Sequence, residues 1–159
     1  MEYSLKVNGK QDALWLKKLL GSKNIEFRYI NKQHNSLSID EFDLANGLRI
    51  SVYENNFPPN HPAATYETMF QEEDFVYEQT ISYELENNEQ FERCYKTMYE
   101  VSFSILESLK VDGLFYHTSG EEIFFYRDGK YTFNGKYLEL LEDQYSEILK
   151  SINYTLFGS

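Results

Sequence analysis

Hydrophobic and polar residues alternate from Glu2 to Val7, with Tyr3, Leu5 and Val7 on one side and Glu2, Ser4 and Lys6 on the other. A period of two predicts a half-buried strand. A turn is expected at Asn8-Gly9. From about Lys10 the period lengthens: Ala13, Leu14, Trp15, Leu16, Leu19 and Leu20 crowd a helical face, and Gly21 is placed to cap the helix. Ile25 to Ile30 alternates in part and predicts a second strand. Lys32 to Ser36 reads as a polar turn, with Leu37 and Ile39 opening a third strand. Asn46-Gly47 is the preferred two-residue hairpin pair, so Leu48, Ile50 and Val52 are expected to leave a tight turn.

Pro58, Pro59 and Pro62 lack backbone donors and predict a loop between Asn55 and Ala64. Beyond it Phe75, Tyr77, Ile81, Tyr83 and Leu85 keep an odd-numbered row, with Glu78, Thr80, Ser82, Glu84 and Glu86 opposite. One long strand is expected there, interrupted in character only by Gln79 and Val76. From Glu89 to Leu109, Phe91, Cys94, Tyr95, Met98, Val101, Ser102, Ile105 and Leu109 recur at helical steps, with Asn87 or Asn88 able to cap. Three short aromatic strands follow at Leu114–Tyr116, Ile123–Tyr126 and Tyr131–Phe133, the last two joined by Asp128-Gly129, a strong hairpin signal. Tyr137 to Ile152 returns to the helical period and predicts a closing helix. These elements predict an α+β fold over residues 1–159, a single domain with a mostly antiparallel sheet packed with about three helices.

Charge changes the picture in one stretch. Ile50 to Glu92 holds ten acidic side chains and no Lys or Arg, while the other sixteen acids nearly balance all fifteen bases of a chain with net charge −11. That balance opposes an electrostatic grip on nucleic acid or an anionic membrane and favours a basic protein partner. Aromatic rings lie among the acids, as at many protein-binding surfaces, although a charge run also serves simply as a solvated face. Fourteen Tyr and twelve Phe supply core-formers that a disordered acidic tail lacks. Cys94 is the only cysteine, which excludes an intrachain disulfide and suits a reducing compartment. Without a secretory or membrane-spanning pattern, a soluble cytoplasmic protein is expected.

Catalytic and metal motifs are missing. His34, His61 and His117 are far apart and form no HExxH or HxH pattern, and no phosphate-cradling glycine loop occurs. Glu72, Glu73 and Asp74 are adjacent, so their side chains point in different directions, and no His or Lys accompanies them. No catalytic residue, metal or cofactor is predicted. The enzyme alternative needs carboxylates assembled from distant positions.

Glu2–Val7, Gly47–Val52 and above all Leu114–Asn134, with Gly120-Glu121 and Arg127-Asp128-Gly129-Lys130 between its strands, carry a resemblance. Over roughly Met1 to Tyr137 the chain resembles the immunity proteins of swarming-inhibition (Sit) bacterial polymorphic toxin systems. The resemblance implies a protein that binds and neutralises a cognate toxin domain, often a nuclease with a basic surface, inside the producing cell. Together with the charge pattern it nominates Glu67, Glu72, Glu73, Asp74, Glu78, Glu84 and Glu86 for attraction, and Tyr66 and Tyr77 for contact area. The alternatives are an acidic adaptor for another basic protein and a small carboxylate enzyme; reversing charge at Glu72, Glu73 and Asp74 separates binding from catalysis.

Overall fold

The computed structural model describes residues 1–159. In chain order the elements are β1 (Glu2–Val7), α1 (Ala13–Ser22), β2 (Phe27–His34), β3 (Leu37–Leu44), β4 (Arg49–Glu54), a 3₁₀ turn at Pro62–Ala64, β5 (Thr65–Tyr66), β6 (Phe75–Val76), β7 (Gln79–Glu84) and α2 (Phe91–Leu109). There follow β8 (Gly113–His117), β9 (Glu122–Arg127), β10 (Lys130–Phe133), α3 (Gly135–Gln144), α4 (Ser146–Leu149) and β11 (Tyr154–Leu156). Nine strands form one sheet in the order β11-β10-β9-β8-β1-β7-β4-β3-β2, and β5 and β6 form a separate two-stranded ribbon. Every pairing in the large sheet is antiparallel except β10 with β11. The fold is α+β.

The first strand sits at the centre. Leu5 lies opposite Ile81 of β7 on one side and Phe115 of β8 on the other. The odd-numbered face of β1, expected inside, joins Phe42, Ile50, Ile81, Tyr83, Phe115 and Phe124 in the main core. The long helix α2 covers this face with Met98, Tyr99, Val101, Ile105 and Leu106, all buried. Cys94 is buried on the same helix. Its Sγ donates to the Asn46 carbonyl at 3.1 Å, and burial pushes the thiol pKa up, as for a small packed hydrophobe rather than a nucleophile. Gly113 lets β8 pass under α2, because a Cβ there would collide with the buried Leu106 side chain.

Four expectations are corrected. Gly21 lies inside α1; the left-handed cap position is taken by Asn24 (φ 57°), whose short amide side chain tolerates it, and Ile25 N–H bonds Leu20 O at 3.0 Å. The turn expected over Lys32–Ser36 shrinks to Asn35 and Ser36, with φ of 49° and 67°, the positive values a two-residue hairpin needs. The long strand expected from Phe75 breaks at Tyr77-Glu78: Phe75 and Val76 pair with the ribbon, Gln79–Glu84 with the sheet. The odd-numbered row stays buried throughout, yet Phe75 and Tyr77 pack in a second core and Ile81 and Tyr83 in the main one. Finally, the closing helix breaks at Tyr145, whose φ of −136° and ψ of 37° leave helical space, so there are four helices, and the chain ends on β11.

Gln79 explains how a polar residue occupies an inward row. Its amide accepts from Gln11 N–H at 3.3 Å and donates to Gln11 O at 2.8 Å, reproducing a strand-like pairing with the segment before α1. Both polar ends are satisfied, so burial costs little.

Candidate partner-binding surface

The face of the sheet turned away from α2, to which Lys6, Leu114, Phe125 and Arg49 belong, is divided. Over β8 and β9 it is covered by a strap, residues 55–76, that leaves β4, carries the three prolines and returns through the β5–β6 ribbon. Phe75 and Tyr77 pack there with Leu114 and Phe125, flanked by Tyr66, Phe70 and Tyr116. The Tyr66 ring stacks on Tyr116 at 5.0 Å, and Phe75 meets Phe125 edge-on at 5.6 Å.

Polar bonds fix the strap at both ends. Asn55 Nδ2 donates to Ala64 O and Tyr77 O, each at 2.9 Å, and Tyr77 Oη donates to Ala63 O at 2.6 Å. At the far end the buried Glu122 carboxylate accepts from Met69 N–H at 2.8 Å and Thr68 Oγ1 at 3.2 Å. Burial raises the Glu122 pKa, and those two donors partly counter it. Lys6 lies beneath. It is buried, its Nζ bonds Thr80 Oγ1 at 3.2 Å and sits 3.9 Å from the centre of the Tyr77 ring, and loss of water lowers its pKa to about 8. The aromatic face replaces a carboxylate as its counter-group.

On the outer side of this strap stand the acids nominated from sequence. Glu67, Glu72, Glu73, Asp74 and Glu78 are all exposed, and none forms an ion pair. The ribbon register, with Thr65 opposite Val76 and Tyr66 opposite Phe75, brings Glu67 and Asp74 to one end of the ribbon. Val76, 57% exposed, and Met69 add apolar surface to the same strap. Tyr66 is half-buried and Tyr77 is buried: both hold the strap down from within.

Glu84 and Glu86 belong to a different place. They line an open groove of about 240 Å³ at the end of β7, together with Arg28, Asp43 and Arg49. This uncovered half of the face is a lattice of ion pairs. Arg49 Nε lies 2.8 Å from Asp43 and 3.8 Å from Glu41, and its Nη1 lies 4.0 Å from Glu84. Lys32 reaches Glu41 at 2.9 Å and Arg28 reaches Asp43 at 3.3 Å. The Asp43 pKa is lowered chiefly by its bond to Arg49. Glu41, Asp43 and Glu84 find cations at home; Glu86 and the acids on the strap do not.

Sequence reasoning missed Lys6 and Glu122, because strand alternation assigns Lys6 to water and places Glu122 beside a turn. The aromatic run after the prolines was the available signal that the polar row of β1 would be roofed. No three His, Cys, Asp or Glu side chains converge as a metal ligand set, and no helix is long and apolar enough to cross a membrane.

Comparison with known proteins finds a match to the SitI3-like family over residues 1–139. The match spans β1 to the first turn of α3, and so both halves of the divided face. No curated protein and no solved structure matches the chain.

Proposed function

The chain belongs to the SitI3-like family, and from that premise we propose that it is an immunity protein that binds and neutralises a cognate contact-dependent toxin domain in the cytoplasm of the producing cell. Occlusion is the mechanism: the inhibitor covers the toxin's working surface and performs no chemistry itself. A nuclease is the toxin class that fits, since its substrate groove is basic.

The observation that carries this mechanism is the strap, which displays Glu67, Glu72, Glu73, Asp74 and Glu78 to solvent without an internal cation to quench any of them. An anionic surface on a fixed scaffold raises the association rate with a basic partner and repels nucleic acid. Val76 and Met69 supply apolar area to be buried on contact, while Glu84 and Glu86 contribute at the groove edge and Tyr66 and Tyr77 support the strap from beneath.

Co-expression with a candidate toxin domain, sought as the variable C-terminal domain of a large secreted protein encoded in the same genome, tests the proposal. Growth is rescued and the two proteins co-purify if it holds; a toxin that kills regardless of this chain, with no complex at low salt, rejects it. Replacing Glu72, Glu73 and Asp74 with Lys is expected to slow association about ten-fold or more at low ionic strength, with the effect shrinking as salt rises. Unchanged association would remove the strap from the interface.

A further inference from the structure

The sheet has two edges, and they are blunted in different ways. At β11 the strand is short, Phe157 N–H bonds Phe133 O at 2.8 Å, and the Phe157 ring packs against Phe70 of the strap. At the other end β2 pairs with β3 in unbroken register from Phe27–Leu44 to His34–Leu37, with no bulge and no proline. Edge strands of soluble proteins are blunted by such interruptions or by charged side chains; β2 carries only the charges, Arg28 and Lys32, so its backbone can still pair with a strand that complements them. The hairpin also projects: β4 pairs only with Ile39–Asp43, leaving the tip beyond it exposed.

The direction of the backbone groups follows from the ladder. Leu44 N–H bonds Leu48 O, toward β4, and Ala45 N–H bonds Glu26 O, toward β2. Antiparallel bonding alternates, so odd-numbered β3 residues bond β2, and their opposite numbers Arg28, Ile30, Lys32 and His34 turn inward. Phe27, Tyr29, Asn31 and Gln33 therefore direct N–H and C=O outward into solvent.

The side chains select what can pair there. Arg28, Ile30 and Lys32 stand on the open face at steps of two: Arg28 is 88% exposed and Lys32 49%, above their recessed partners Asp43 and Glu41. Ile30 is 52% exposed between them. This is a cation–apolar–cation stripe on a chain of charge −11. A second copy fits poorly. Antiparallel self-pairing about Ile30 sets Arg28 beside Lys32 twice, pairing about Asn31 sets Arg28 beside His34, and two such chains repel at long range.

We propose that β2 is the docking edge for an extended segment of the cognate toxin, which adds a tenth strand and carries carboxylates on the face beside Arg28 and Lys32. The inference rests on the immunity reading and names a second contact for it. Backbone pairing supplies affinity at this edge, and the Arg28–Ile30–Lys32 stripe supplies selection.

The test uses Asn31→Pro, which removes one outward N–H without touching the β3 ladder, with Asn31→Ala as the control that keeps it. Binding to the toxin domain that the unmodified chain neutralises is measured for both. Asn31→Pro is expected to weaken the complex about ten-fold or more, and Asn31→Ala about two-fold or less. On the unmodified pair, hydrogen exchange at the Tyr29, Asn31 and Gln33 amides is expected to slow on complex formation, which holds the test open if the proline variant folds poorly. A toxin complex with those amides still exchanging freely, or with Asn31→Pro binding fully, overturns the edge assignment and leaves the immunity function standing. Failure of the unmodified chain to bind or protect rejects the immunity function instead. A toxin-free dimer that protects the same amides assigns the edge to a second copy and overturns this occupant.

Discussion

The two halves of the sheet face turned away from α2 start from the same alternating pattern and end as different materials. Over β8 and β9 the strap excludes water, and the residents are Leu114, Tyr116, Phe125 and a lysine without a carboxylate. Over β4, β3 and β2 nothing covers the sheet, and the residents are Arg28, Lys32, Glu41, Asp43 and Arg49 in mutual ion pairs. Cover, more than position in the sheet, decides which interactions carry weight. Under the strap apolar contact and desolvation dominate; on the open half, screened pairs contribute little each.

The comparison is broken most directly by emptying the covered half. Phe125→Ala, which removes the ring met by both Phe70 and Phe75, is expected to cost about 3–5 kcal/mol in urea unfolding and to raise protease sensitivity within residues 55–76. Lys6 gives the next effect. Its folded pKa of about 8 lies below the ordinary lysine value of 10.5, so the folded state releases its proton first. Stability from this group is absent below pH 8 and grows as pH rises toward 10.5, by up to about 3 kcal/mol. Unfolding measured from pH 7 to 10 should show that rise, and Lys6→Met should flatten it while raising stability at pH 7. A smaller loss, about 1–3 kcal/mol, is expected from Gly113→Ala, which overpacks the opposite, helix-covered face against Leu106 and serves as the fully buried reference. The least effect belongs to the open half: a double-mutant cycle on Arg49 and Asp43 should give a coupling of about 1 kcal/mol or less, falling with added salt.

Much of this was legible from residue order. The hairpins at Asn46-Gly47 and Asp128-Gly129, the long helix over Phe91–Leu109 and the aromatic strands after it all follow from local chemistry and periodicity. What stayed hidden needed knowledge of what covers what. Alternation shows that Phe75, Tyr77, Ile81 and Tyr83 are buried, but not that the first two turn to a different core from the last two. The same blindness applied to Lys6 and Glu122, polar by type and buried only because a distant segment roofs them. The break at Tyr145 was invisible because Leu141, Ile148 and Leu149 keep helical spacing across it. Of the nominated surface, exposure of the acids could be anticipated; their division between a strap and a separate groove came from the pairing of Arg49 opposite Glu84.

The central position of β1 has a consequence in time. Both of its neighbours, β7 and β8, are synthesised long after it, so β1 leaves the ribosome with neither partner for about 70 residues, several seconds or more at ordinary translation rates. Such pairing across long stretches of chain makes folding slow and late. A half-made molecule offers neither a finished sheet nor an anchored strap. On the immunity function proposed above, protection would rest on a standing pool of completed chains, present before any toxin arrives.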